Sequence, residues 1–334
     1  MNWNEGFSAR YYYTVVDPST WRDLSRHELT GGTVMRTDSN LLQSATINVT
    51  DLPTENEAWI RVWLDARQGK DGAHEALFTG LMSAPVVDWD GNRKSYQTEC
   101  YSVLKPAADI LLDRGWYAAA GVNAALLISN LLKAGPAPVI CEDEAPHLLE
   151  SIVAENNETN LTMVWKILNA IGWQLRILGS GNIRIEPKPA EPTITLDSAG
   201  NDIVELSVKD TRDWFSCPNV FRAESGDRIA VVRDNDENSP LSTVSRGREI
   251  WAEERDVKLA DNEGIETYAR RKLAELQSPA RTISYTRRYL PTVSVGDLVT
   301  VHYPKQHIEA DFRISSQSIE LGYGARTSEE AVMV

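Results

Sequence analysis

Residues 58–66 read AWIRVWLDA, and the alternation of this stretch decides the fold class. Its aliphatic residues fall on one side of an extended chain, whereas Trp59, Arg61 and Trp63 fall on the other. A period of two residues is the pattern of a β-strand. Because tryptophans stand on the second side, we predict that this side also meets protein. Trp59, Arg61 and Trp63 are therefore our candidate interface with another subunit, and burial in the chain's own core is the alternative.

Similar patterns surround this strand. Residues 7–16, 44–51 and 77–82 are rich in β-branched, aliphatic or aromatic side chains, and Asp90-Gly91 is a strong turn signal. Many short strands separated by turns are typical of a sandwich or a barrel. We predict that residues 1–105 form a first, tube-like β-barrel domain.

Residues 106–190 change character. Helices are predicted over residues 122–132, 146–153 and 160–171, and Gly172 is a stop signal for the last of them. Residues 173–186 then have the pattern of a β-hairpin. We predict a small α+β domain here.

The remaining residues return to a strand pattern. A proline-rich linker at residues 187–192 is followed by short β-like stretches and by one amphipathic helix predicted over residues 264–277. We predict a second, tube-like β-barrel domain over residues 191–325 and a polar tail over residues 326–334. The expected fold class is α+β, mainly β, with two tube-forming β-barrel domains and a small α+β domain between them.

The charge of the chain argues against a nucleic-acid-binding protein. Lys and Arg number 34 and Asp and Glu 48, which gives a formal net charge of −14. Proteins that grip nucleic acid cluster basic residues against the phosphates, and this chain has only short basic runs such as Arg287-Arg288. We expect no specific nucleic-acid binding. The sequence also has neither a signal-peptide pattern nor an apolar run of about 18–20 residues, so we expect no membrane anchor.

The sequence contains no motif that assigns a catalytic, cofactor-binding or metal-binding residue. The hydrolase elbow, the phosphate loop and the zincin helix are absent. Cys100, Cys141 and Cys217 have no metal-ligand or redox spacing and are expected to be reduced thiols. We therefore expect a protein that is not an enzyme and that needs no cofactor.

Two short segments imitate functional motifs. Residues 234–238 begin like a calcium loop, but Ser239 and Ser245 stand where that loop needs Gly and Glu. Residues 179–181, Gly-Ser-Gly, begin like a dinucleotide fingerprint, but Arg184 occupies the position of the third glycine and a strand follows. We interpret the first as a solvated loop and the second as a hairpin turn.

The order of several short stretches resembles the baseplate hub proteins of long-tailed phages and contractile particles, the group that includes the late control protein D and prophage tail hubs. The resemblance is spread over about residues 5–325 and lies in these stretches: 77–81 (LFTGL), 88–91 (DWDG), 100–104 (CYSVL), 268–273 (YARRKL), 295–299 (VGDLV) and 312–319 (FRISSQSI). No sequence similarity links residues 7–105 with residues 193–334, so a duplicated barrel is implied by the resemblance alone.

The resemblance implies a structural role in a virion. Hub proteins of this kind form a homotrimer whose six barrel domains imitate the hexameric tail tube. The implied partners are the tail tube protein and a central spike or tip protein, with the tape-measure protein as a further candidate. The implied place is the tail baseplate, assembled in the host cytoplasm, and DNA passes through the ring. Because the chain is acidic, we expect an acidic bore that does not bind phosphates.

Two other functions fit the composition. The abundant Trp and Tyr, 10 and 11 residues, suit a carbohydrate-binding β-module of a phage or bacterial surface protein, which predicts a monomer with an aromatic groove. A hydrolase with an unrecognised pair of carboxylates is the third candidate, and it predicts a cleft with raised carboxylate pKa values.

Overall fold

The chain is mainly β with a smaller helical part. The computed structural model describes residues 1–52, 56–83, 85–91, 93–199, 204–212, 214–260, 263–278 and 281–334. Within these ranges strands dominate over helices, which confirms the predicted class of α+β, mainly β.

The N-terminal segment contains eight strands around one apolar core. Alternate residues of these strands are buried, among them Ile60, Val62 and Leu64 of the stretch that predicted the first strand, and each has 0% exposure. The strands are β1 (Ser8–Val16), β2 (Asp23–Glu28), β3 (Gly31–Thr37), β4 (Gln43–Val49), β5 (Ala58–Gln68), β6 (Asp71–Met82), β7 (Val86–Asp90) and β8 (Arg93–Ser102).

The middle segment packs three helices against short strands. Helix α3 covers the predicted residues 160–171: the side chain of Thr159 accepts a hydrogen bond from the Thr162 amide, and Gly172 ends the helix in the left-handed conformation. The elements are α1 (Lys105–Asp109), β9 (Tyr117–Ala118), α2 (Ala124–Leu132), β10 (Val139–Ile140), β11 (Ile152–Val153), α3 (Asn160–Ile171), β12 (Trp173–Ile177) and β13 (Ile183–Pro187).

The helix predicted over residues 146–153 is wrong. This segment is extended: Leu148 forms an isolated bridge with Ala260, and β11 pairs with β9. One of its backbone hydrogen bonds runs to a distant part of the chain: the Leu149 amide donates to the Leu259 carbonyl at 2.9 Å. Tertiary pairing of this kind overrides a weak local helix preference.

The C-terminal segment holds two structural units. One unit has its own core, in which β16, β17 and β18 form a sheet against α5. The other strands join the main sheet. The elements are β14 (Ile194–Asp197), β15 (Val204–Arg212), β16 (Val220–Ser225), β17 (Arg228–Arg233), α4 (Thr243–Arg246), β18 (Trp251–Glu254), α5 (Ile265–Gln277), β19 (Arg281–Arg288), β20 (Leu298–Tyr303), β21 (Ile308–Glu320) and β22 (Arg326–Met333).

The predicted tail over residues 326–334 is wrong, because β22 fills most of it. This strand pairs with β19 on one side and with β21 on the other. Thr327, Glu329 and Ala331 alternate inward and are buried, so a short period-two pattern was present in a stretch that is poor in large apolar residues. The boundaries predicted at residues 105 and 190 stay predictions.

The two expected barrels do not close in the described residues. Strands of the N-terminal and C-terminal segments instead belong to one 14-stranded sheet, because β3 pairs with β21. To close into a barrel of its own, each half would need a free strand edge. Here the edges of β3 and β21 pair with each other and join the two halves. Two separate apolar cores lie under the two halves of this sheet.

A buried polar network lies at this junction. Arg287 of β19 and Glu329 of β22 form an ion pair, with Nη2 to Oε1 at 2.6 Å, and both side chains have 0% exposure. Gln317 of β21 donates to Glu329 at 2.7 Å and accepts from Arg36 of β3 at 2.9 Å. Burial by itself would lower the pKa of the Arg287 guanidinium, but the adjacent Glu329 carboxylate raises it above its ordinary value.

We expect Glu329→Gln to lower the free energy of unfolding by about 3–5 kcal/mol, because it leaves the buried Arg287 charge unpaired. The matched control is Glu28→Gln: its partner is Arg10, and the two side chains are 59% and 65% exposed. That change should cost no more than about 1 kcal/mol. Urea denaturation of both variants measures the difference, and equal losses would contradict the assigned importance of the buried pair.

Candidate assembly surface

Eight strands of the main sheet form one continuous antiparallel ribbon. Their order is β15, β19, β22, β21, β3, β4, β8 and β7, and each neighbouring pair is antiparallel. We call this set the eight-stranded ribbon. Its inner face covers the two cores, and its outer face is open to solvent.

Hydroxyl and amide side chains dominate the outer face of the ribbon. One ladder row runs across six strands, and in it the Thr286 and Ser328 hydroxyls lie 3.3 Å apart. Another neighbouring pair is Gln97 and Asn48, whose side chains hydrogen bond at 3.3 Å. The six residues of the first row are Thr286, Ser328, Ser318, Met35, Ser44 and Tyr101. The face is thus polar but largely uncharged.

The charges that the strand register places on this face are of both signs. The described ones are Glu99, Glu309, Asp311, Glu320 and Glu330, and Lys209, Arg288, Arg313 and Arg326. Two of the cations are engaged, since Arg288 donates to the Asn4 carbonyl and Arg326 pairs with Glu205 at 3.7 Å. The described charges of this face are therefore mixed, and an acidic bore stays a prediction.

The ribbon ends in two strands that each have a single partner in the described part of the chain. These are β7, which pairs with β8, and β15, which pairs with β19. Both carry exposed apolar side chains: Val86 is 62% exposed, Trp89 67% and Leu206 65%. Strand edges of this kind are ready to pair with another chain.

These edge residues were not predicted as an interface. The sequence signal was limited to the VVDWD pattern at residues 86–90, which reads as a strand but does not tell an edge strand from a central one. Edge position depends on which distant strands pair, and it becomes visible only in the folded sheet.

The three predicted interface residues lie together on β5, and their contacts are within the chain. Trp59 packs against the core of the middle segment, with its ring 5.7 Å from that of Trp21. Trp63 stacks on His74 with ring centroids 4.2 Å apart. Arg61 is 6% exposed, and burial lowers the pKa of its guanidinium against the effect of the nearby Asp23 carboxylate. A contact of this face with another subunit stays a prediction.

The tip of the predicted hairpin docks on this same face. Arg61 donates to the Ser180 carbonyl at 3.0 Å, and the Thr79 hydroxyl donates to the Gly179 carbonyl at 2.7 Å. The interpretation of residues 179–181 as a hairpin turn is confirmed, since β12 and β13 flank them. Both glycines are needed there: a Cβ on Gly179 would lie 1.6 Å from the Ala76 carbonyl oxygen.

The exposed aromatic side chains do not gather into a groove. In the described residues, Trp89, Tyr117, Phe215, Trp251 and Tyr323 are 67%, 60%, 78%, 50% and 98% exposed, and no two of them share a helix or strand. This distribution gives the carbohydrate-binding alternative no support. In the ranges that the structure describes, no group of three or more His, Cys, Asp or Glu side chains could hold a metal ion. No described helix is long and apolar enough to span a bilayer.

Three solved structures with a similar fold are tail proteins. The 43 kDa tail protein of prophage MuSo2 from Shewanella oneidensis superposes with a TM-score of 0.73 at 14% identity, covering 98% of this chain and 97% of that one. A tail protein from Neisseria meningitidis MC58 gives 0.72 at 14% identity, with coverage of 98% and 97%. Prophage tail protein gp18 from Listeria monocytogenes EGD-e gives 0.59 at 14% identity, with coverage of 98% and 94%.

No protein-family model and no curated protein matches the chain. The fold places the chain in the class of mainly-β proteins in which one continuous sheet covers two apolar cores. Within this class the chain has the fold of the prophage tail proteins, over nearly its whole length. The resemblance to phage tail hub proteins that was predicted from the sequence is confirmed in the fold.

We expect Gly179→Ala to lower the free energy of unfolding by about 1–3 kcal/mol or more, because the added methyl group collides with the backbone of β6 and forces the hairpin away from Arg61. Gly6→Ala is the control, since Gly6 is exposed and a Cβ there would meet nothing within 4 Å. Thermal and urea unfolding measure both. A Gly179→Ala protein as stable as the control would show that the hairpin does not dock as described.

Proposed function

We propose that this chain is a non-enzymatic structural subunit of the tail of a phage or a phage-like particle, acting as a baseplate hub. Three copies form a pseudo-hexameric ring that joins the tail tube to a central spike or tip and lets DNA pass. The observation that carries this proposal is the eight-stranded ribbon with its two free edges. The resemblance in sequence and in fold to tail proteins supports it.

The strand directions of the ribbon favour a closed ring of identical copies. Eight alternating strands leave β7 and β15 running in opposite directions at the two ends. When β7 of one copy meets β15 of the next, the new pair is antiparallel like every other pair in the ribbon. Such a head-to-tail contact closes when the rotation between copies is an exact fraction of a turn.

Three ribbons form a barrel of suitable width. Three copies supply 24 strands, eight from each. With strands about 4.8 Å apart and tilted by about 35–45°, such a barrel has a backbone diameter of about 45–50 Å. Side chains of the outer face of the ribbon would then line a bore wide enough for a DNA duplex.

The chemistry of this face suits passage of DNA without binding. Stable binding of DNA needs several cations placed against phosphates. The face offers mainly hydroxyls and amides, and acidic and basic side chains are interspersed among its described residues. In this proposal the cations of the bore are interspersed with carboxylates, and DNA finds no cluster of cations to which it can adhere.

Closure of the ring also accounts for the exposed apolar edges. Val86, Trp89 and Leu206 would leave water when the edges pair, and the joined strands would complete the tube-like walls that neither half forms alone. The tail tube protein, the spike or tip protein and the tape-measure protein are the proposed partners along the ring axis, and the tail baseplate is the proposed location.

We expect the purified chain to reach a mass of about 112 kDa, three times 37.3 kDa, in light scattering, and to appear as a ring with a central hole in negative stain. Leu206→Lys on β15 should lower the trimer fraction, because a charge at a pairing edge opposes strand addition. Leu24→Lys on β2 is the matched control, since Leu24 is 67% exposed and Leu206 65%.

The outcome against this proposal is equally definite. A mass that stays at one chain at every concentration, with binding to glycans on an array, would favour the carbohydrate-binding module. A trimer that Leu24→Lys weakens and Leu206→Lys leaves intact would place the contact at β2 and not at the ends of the ribbon.

A further inference from the structure

The two free edges of the ribbon lie at different levels along the strands. A ladder row runs from Thr286 in β19 through the middle strands to Tyr101 in β8. On one side of this row, β7 begins at Val86, which lies opposite Gln97, four positions before Tyr101 in β8. On the other side, the regular part of β15 is residues 208–212. It lies opposite residues of β19 that are one to five positions before Thr286. Neighbouring copies must therefore meet with a stagger.

We propose that β7 of one copy pairs with β15 of the next in the register that places Val86 opposite Thr211 and Trp89 opposite Val208. This inference rests on the proposed ring and specifies its seam. The occupant of each free edge is thus a second copy of this chain.

The stagger in this register matches the geometry of closed barrels. Val86 is four positions from the row on one side, and Thr211, which lies opposite Thr282, is four positions from it on the other. The stagger is therefore eight residues over eight strands. With about 3.3 Å per residue and about 4.8 Å between strands, one residue per strand gives a tilt of about 35°, at the lower end of the usual 35–45° for barrels.

The period of the strands limits the choice of register. Val87 and Trp89 lie on the inner face with Tyr96, and Val208 and Asp210 lie on the inner face with Tyr285. A shift by one residue would turn every side chain of the added strand to the wrong face. The stagger must therefore be even.

A stagger of six would give a tilt of about 27°, below the usual range for barrels. Packing then decides between eight and ten. A stagger of ten residues would set Trp89 against Asp210, whereas a stagger of eight sets it against Val208. Val208 is partly buried against the C-terminal core, so the indole would extend that core across the seam. Trp89 is 67% exposed in the single chain, and an aromatic residue next to a β-branched one is a favourable cross-strand pair.

Cysteine cross-linking tests this register. The double variant Val86→Cys with Thr211→Cys carries its thiols at opposite ends of the ribbon, so a disulfide between them joins two copies. Opposed Cβ atoms in antiparallel strands are about 4.5–5.5 Å apart, close to what a disulfide needs. Both cysteine variants carry Cys141→Ser, because Cys141 is the partly exposed native thiol and Cys100 and Cys217 are buried. Mild oxidation should give covalent dimers and trimers.

The matched control is Val86→Cys with Lys209→Cys, on the same face but two residues away, about 7 Å along the strand. It should cross-link at least tenfold more slowly. Rings in which the control links as fast as the Thr211 variant, or in which neither links, would overturn the register and leave the proposed ring in place. A chain that forms neither rings nor cross-links would overturn both.

A second variant tests the role of the indole. Trp89→Ala should raise the concentration at which the trimer dissociates by at least about tenfold, as for buried aromatic residues at the centres of interfaces. Trp251→Ala is the control, since Trp251 is 50% exposed on β18, outside the ribbon. Equal dissociation of the two variants would show that Trp89 is not buried at the seam.

Discussion

The buried ion pair between Arg287 and Glu329 is the constraint on which the main sheet depends. Two charges without access to water are tolerated only with close partners and saturated hydrogen bonds. Arg287, Glu329, Gln317 and Arg36 belong to four successive strands, so the network holds only when β19, β22, β21 and β3 are in one register. A slip by one residue in any of them would bury an unpaired charge and turn the apolar residues outward. The junction of the two halves is therefore specified by polar groups, while the cores on either side supply the apolar burial.

Much of the fold could be predicted from local patterns. Alternation predicted the strand at residues 58–66, and apolar spacing with a glycine stop predicted α3. The helix predicted over residues 264–277 is α5, and the hairpin around residues 179–181 is present. These features depend on residues close in sequence. The junction of β3 with β21 depends on residues 281 positions apart, and no local pattern carries that information.

The candidate surface was harder to predict for the same reason. Trp59, Arg61 and Trp63 were predicted as a candidate interface with core burial as the alternative, and the hairpin of the middle segment contacts part of this face. A contact with another subunit stays a prediction. The residues at the ends of the ribbon have no special composition. Their role follows from their place at an edge, and the place of a strand in a sheet is a property of the whole chain. The missed strand β22 illustrates the point, because Glu329 looks like a surface residue until Arg287 is found beside it.

The long separation between β3 and β21 has a consequence for the synthesis of the chain. A ribosome that adds about 5–20 residues per second needs about 15–60 s to make the 281 residues between Arg36 and Gln317. During that time β3 has no neighbour on the side that later joins the two halves. Nascent chains on one polysome would present this same open strand to each other, at the stage when pairing between chains competes with folding. β3 can therefore gain its second neighbour only after nearly the whole chain has been made.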